Sequence, residues 1–170
     1  MPEYVEIDDE LYDPFAEVPE LLFHGTSYEG YLSIQERGIR TGHSRGMRDF
    51  GRAFYTTRNL SQAYNWATRR GSATVVRLRV DSARWEPLRK HYPVGADWED
   101  LITECVCGRT EEVTGYDVVE GQVCENPREV TKGAAPKGFG TQTALLNRTA
   151  IGAVEIVGTY EGEDHGNPDS

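Results

Sequence analysis

Residues 49–67 read DFGRAFYTTRNLSQAYNWA. Within them RAFYTT (52–57) is a short run of aromatic and β-branched residues and predicts a strand. Side chains alternate across a strand, so Tyr55 and Thr57 share one face and Phe54 takes the other. The period then changes. SQAYNWATRR (61–70) predicts a helix with Ala63, Trp66, Ala67 and Arg70 on one face. Ser61 or Asn59 caps its start, and two arginines suit the negative end of its dipole. Trp66 follows Tyr55 by eleven residues, on the helix that the strand feeds. Two aromatic rings so placed can sandwich a flat heterocycle, and stacking on a cationic ring adds about 0.5–2 kcal/mol. The alternative is that both are core aromatics, which is usual for a Trp on an apolar helix face.

Working outward, LLFHGTS (21–27) has strand character and ends at a turn. A His followed by Gly sets an imidazole beside a bare backbone. The glycine lets a flat ligand approach the main-chain N–H and C=O, the donor and acceptor that a carboxamide needs. The other reading of His24-Gly25-Thr26 is an ordinary strand histidine before a turn. Residues 28–38 predict a helix carrying Tyr31, Leu32, Ile34 and Gln35, with Gly38 as its stop. Residues 39–51 are rich in glycine and read as a loop. Asp49 is expected to structure that loop through Asx-type bonds. ATVVRLRV (73–80), YDVVEGQV (116–123), TQTALL (141–146) and AVEIVGTY (153–160) predict strands, and 97–107 a helix with Trp98, Leu101, Ile102 and Cys105 on its apolar side. Helices early and strands late favour α+β over a parallel α/β sheet. Residues 1–19 read as an acidic arm, 20–160 as one domain and 161–170 as an acidic tail.

The chain of 170 residues suits a single domain, and 38% hydrophobic residues suffice for a core. A net charge of -10 argues against general affinity for nucleic acid or anionic membrane. Arg37 to Arg52 nevertheless carries five arginines against one aspartate. Their guanidinium forks match phosphate oxygens, so Arg40, Arg45, Arg48 and Arg52 are candidates for a pyrophosphate. Equally, they form a solvated basic loop that balances the acidic arm. Cys105, Cys107 and Cys124 do not form a disulfide framework or a zinc set, and read as reduced, semi-buried thiols of an intracellular protein. The N-terminus lacks the pattern of a signal peptide, and no apolar run approaches the ~20 residues of a membrane span, so a cytoplasmic location is expected. Delivery as a secreted effector is left open. P-loop, G-x-G-x-x-G, G-x-S-x-G and H-E-x-x-H signatures are missing.

Together, 21–27 and 49–67 resemble the ADP-ribosyltransferase superfamily, in the diphtheria-toxin and PARP branch with its His-Tyr-Glu triad. The likeness is greatest to a bacterial and fungal group with a D-F-G-x-G-F-Y-x-T stretch followed by a helical W-A; here Ala53 replaces the second glycine. It covers residues 20–68 well and the rest loosely. The resemblance implies an α+β fold of two small antiparallel sheets forming an NAD-binding cleft, with flanking helices. It implies NAD as co-substrate, no metal, and mono-ADP-ribosyl transfer. His24 would bond a ribose, and the Gly25 backbone would hold the nicotinamide carboxamide. Tyr55 would stack on the nicotinamide with Trp66 opposite, while Thr26, Thr57, Arg40 and Arg52 would also contact NAD. The third triad position falls to Gln142, which opens a late strand after a glycine-rich loop, or to Glu120 in YDVVEGQV. A carboxylate stabilises positive charge, whereas a glutamine only orients by hydrogen bonds. NAD glycohydrolysis, or an inactive module binding NAD or ADP-ribose, are the alternatives; an RNA 2′-phosphotransferase fits the acidic composition poorly. The acceptor, whether protein, nucleic acid or small molecule, is not legible, and an antitoxin or immunity protein is a further candidate partner.

Overall fold

A computed structural model describes residues 17–42, 48–69 and 71–161. Residues 1–16 of the acidic arm, Arg45, Arg70 and residues 162–170 of the tail lie outside the described residues. The order is β1 (Leu21–Ser27), α1 (Tyr28–Arg37), β2 (Phe54–Thr56), α2 (Leu60–Thr68), β3 (Ala73–Val80), α3 (Ser82–Trp85), β4 (Lys90–His91), α4 (Gly95–Val106), β5 (Val118–Cys124), α5 (Pro127–Thr131), β6 (Gly138–Leu145), α6 (Arg148–Ile151) and β7 (Val154–Glu161). The protein is α+β, with two small sheets and flanking helices.

The first sheet runs β1-β3-β7 and the second β2-β6-β5-β4. All pairs are antiparallel except β4 with β5, which is parallel. This corrects the expectation of two wholly antiparallel sheets. Parallel neighbours need a crossover connection, and α4 with the residues that follow it supplies one.

Alternation along the strands assigns three apolar clusters. Leu22, Phe54, Val76, Leu78, Val118 and Leu145 pack together and join the two sheets. The opposite face of the second sheet, with Val119 and Ala144, packs on Trp98, Ile102 and Val106 of α4 and on Phe50. The opposite face of the first sheet, with Ala73 and Val75, packs on Ala63 and Ala67 of α2.

Local chemistry explains the helix limits. Ser27 accepts from the Gly30 N–H at the start of α1, and the Gly38 N–H closes it on the Ile34 carbonyl, with Gly38 at φ +80°. Of the two caps open for α2, Asn59 is the one used, its side chain accepting from the Gln62 N–H. At Gly25, α2 lies directly on β1. A Cβ there would strike the Ala63 carbonyl oxygen and approach the Ala67 nitrogen at 2.9 Å. Among the described residues, no helix is long and apolar enough to cross a membrane.

Candidate functional site

The two sheets touch along one edge at an isolated bridge. The Phe23 N–H donates to the Thr57 carbonyl at 2.8 Å, and the Thr57 N–H to the Phe23 carbonyl at 2.9 Å. A ladder continued from there would next join Gly25 to Tyr55. Instead, the His24 imidazole takes the Tyr55 carbonyl, with Nδ1 2.7 Å from the oxygen. A carbonyl only accepts, so Nδ1 carries the proton in this contact. The His24 ring also stacks on Phe54, with centroids 4.1 Å apart and planes at 29°. His24 therefore wedges β1 from β2. Gly25 sits two residues past Phe23 and turns its N–H and C=O off the same edge, away from β3. This half-buried glycine thus carries its donor and acceptor at the wedge, beside the histidine.

Tyr55 and Phe54 lie on opposite faces, as the alternation requires, and it is Phe54 rather than Tyr55 that meets the His24 ring. The Tyr55 side chain packs with the α4 cluster. Its hydroxyl accepts from the Phe50 N–H at 3.1 Å and donates to the Gly51 carbonyl. Burial pushes the phenol well above its ordinary range. Gln142 on β6 shares this face. Its Nε2 donates to Asp49 Oδ2 at 2.7 Å and to the Gln122 carbonyl at 3.3 Å. Asp49 Oδ2 also accepts from the Cys124 N–H at 2.7 Å. The expectation that Asp49 structures its own loop by Asx-type bonds is corrected: these bonds reach β5 and β6, because the carboxyl is buried against them. Burial pushes Asp49 up to about 6, and the hydrogen bonds from Cys124 and Gln142 only partly oppose it. The turn Asp49-Phe50-Gly51 thereby grips Gln142 with its first residue and Tyr55 with the next two.

Glu120 lies on the other face of the second sheet, alongside Val118 and across from Thr143. It is fully buried and paired twice with Arg58, Nε to Oε1 at 2.6 Å and Nη2 to Oε2 at 3.1 Å. Arg58 also donates to the Glu17 carbonyl at 2.9 Å. The structure thus separates the two candidates for the third position: Gln142 goes with Tyr55, and Glu120 goes with Arg58. Neither is exposed enough to touch a ligand without a shift of what covers it, Gln142 being 4% and Glu120 0% accessible.

The other candidates are dispersed. Trp66 is half-buried on α2 and, among the described residues, belongs to none of the three apolar clusters. Thr26 lies on β1 opposite Thr74. The Thr57 hydroxyl donates to the Thr141 carbonyl at 3.2 Å. Arg40 is exposed. Arg52 is exposed and ion-paired with Glu112 at 3.0 Å. Cys105, Cys107 and Cys124 are free thiols, and burial pushes Cys105 and Cys124 up to about 11, which makes them poor nucleophiles.

Sequence reasoning passed over Asp49 as the partner of Gln142 and Arg58 as the partner of Glu120. A lone carboxylate inside an apolar strand, as in VVEGQV, is the signal that a buried cation must be sought.

Fold and site together define a small α+β protein with two sheets wedged apart by a histidine and a polar network buried behind one of them. The chain belongs to a protein family of unknown function (DUF3990), matched over residues 21–154. No curated protein matches it.

Proposed function

We propose that this protein is an NAD-dependent mono-ADP-ribosyltransferase that cleaves the nicotinamide–ribose bond and passes ADP-ribose to an acceptor. The observation that carries the reading is the wedge. Gly25 offers one donor and one acceptor side by side at an interrupted ladder, which is the complement of a carboxamide. His24 stands next to it with a fixed ring orientation. Tyr55 supports the reading as well: its hydroxyl is anchored at both ends, so the ring is a rigid wall of the kind stacking requires. Trp66 is half-buried and so keeps surface for a ligand. Gln142 is the third residue of this reading, because it shares Tyr55's face and the same supporting turn.

A second reading, an inactive module that binds NAD or ADP-ribose, draws on the burial of Gln142 and Glu120. Incubation with labelled NAD⁺ separates the readings. Free nicotinamide with labelled acceptor supports transfer, nicotinamide alone supports glycohydrolysis, and binding with neither supports the module. Binding itself is read by a melt, since a ligand at a hundredfold excess over Kd adds about 2.7 kcal/mol to stability. No shift with millimolar NAD⁺, nicotinamide or ADP-ribose sinks all three. Trp66→Ala is expected to weaken nicotinamide binding per folded molecule. A loss of about 3–5 kcal/mol of stability with affinity unchanged would make Trp66 a core residue instead.

A further inference from the structure

We propose that Asp49 is a positioning residue which holds the Gln142 amide in one orientation and supplies, through it, the negative charge that a glutamine lacks. The inference rests on the transferase reading above and concerns how its third residue works.

The Gln142 amide has two N–H hydrogens, and both are engaged, by Asp49 Oδ2 at 2.7 Å and by the Gln122 carbonyl at 3.3 Å. Flipping the amide would set its oxygen against a carboxylate and a carbonyl, acceptor against acceptor. Oε1 is therefore fixed as the end turned from both acceptors, and it can only accept. That is the polarity a ribose hydroxyl needs from the third residue. The carboxylate behind the amide does more than orient it. A hydrogen bond from Nε2 to an anion draws charge through the amide and leaves Oε1 more negative, and in a buried site such polarisation is screened weakly. A developing oxocarbenium ion that reaches Oε1, once the cover over the buried Gln142 has shifted, then feels a full negative charge one amide away.

Among the titratable groups that face Asp49, the buried ones carry no charge. Tyr55 on β2, Cys105 on α4 and Cys124 on β5 are held neutral by burial, which pushes the phenol up strongly and both thiols up to about 11. Gln142 on β6 does not titrate, and Arg48, the chain neighbour, acts on Tyr55 as a cation. The Asp49 carboxyl itself changes charge at about 6, raised there by burial.

The test is the pH dependence of nicotinamide release by the full chain, with NAD⁺ affinity measured in parallel by calorimetry. In the wild type, kcat should rise about tenfold between pH 5 and pH 7, with a midpoint near that of Asp49. Asp49→Asn keeps an oxygen for the Cys124 N–H. It should lose about tenfold or more in kcat at pH 7 and flatten the pH step, while the Kd for NAD⁺ stays within about twofold. A step owed to an imidazole would survive this substitution. The double variant Asp49→Asn with Gln142→Glu, which moves the carboxylate forward by one amide, should recover kcat. Wild-type kcat and an unchanged step in Asp49→Asn overturn the proposal, as does a proportional loss of affinity and turnover, which marks a structural role. Should Asp49→Asn fail to fold, the wild type decides by nuclear magnetic resonance. The Asp49 carboxyl carbon and the Gln142 side-chain amide should titrate together, and independent behaviour overturns the idea. A wild type that releases no nicotinamide at all is a different failure, because it removes the transferase reading beneath.

Discussion

The Tyr55 hydroxyl ties the strand residue to the turn before it, accepting from the Phe50 N–H and donating to the Gly51 carbonyl. Tyr55→Phe leaves both partners unsatisfied in a buried place and should cost about 1–3 kcal/mol, read as a lower urea midpoint. Affinity for nicotinamide per folded molecule should hold, since stacking uses the ring; an unchanged midpoint would show that the hydroxyl is not held as described. Asp49 acts in the opposite direction. Its carboxyl ionises near 3.8 in the unfolded chain and at about 6 in the native state. Between those values the native state keeps a proton that the unfolded chain has released. Stability should therefore fall as pH climbs from about 4 to about 6, by about 3 kcal/mol, and stay lower above that. Asp49→Asn should erase this fall and be the more stable protein at pH 7, which chemical denaturation at the two pH values checks. The bond from Gln142 to Asp49 spans 93 positions, so nothing local in either segment reveals it.

At the scale of elements, β1 and α2 fit because Gly25 has no side chain where the Ala63 carbonyl and Ala67 nitrogen arrive. Gly25→Ala should push α2 off the sheet, lowering the melting temperature and speeding hydrogen exchange in Leu60–Thr68 above that in Ala73–Val80. Uniform loss of protection would instead mean that α2 and the sheet open together. The motif alone suggests a ligand beside Gly25; what the structure shows there is close packing by α2. Strand β3 is legible from ATVVRLRV because its alternation runs over eight residues, and α4 because Trp98, Ile102 and Cys105 recur at helical spacing. The short helices α3, α5 and α6 span four or five residues. That is hardly more than a turn, so they show no period, and β4 with two residues shows none either. Its parallel pairing, the one departure from the expected sheets, was invisible for that reason. The motifs point to His24, Gly25 and Tyr55, but the wedge arises from a contact between segments 31 positions apart.

At the scale of the whole molecule, both sheets are completed late in the chain. β2 finds its partner in β6, and the bond from Thr56 to the Thr143 carbonyl joins positions 87 apart. β3 in the first sheet is flanked by β1 and by β7, the last strand of the described fold. A ribosome adding about 5–20 residues per second would therefore leave β2 without a partner for on the order of 10 s. Meanwhile its Phe-Tyr-Thr run stands as an uncovered edge, open to chaperones and to neighbouring nascent chains. Nascent chains arrested before residue 138 should be protease-sensitive throughout, whereas those arrested well after residue 161 should resist. Resistance in the shorter chains would mean that β1 and β3 form a stable unit on their own. By this account, synthesis itself times the assembly: the wedge between β1 and β2 cannot be stably built until the chain has been made through β6, at Leu145.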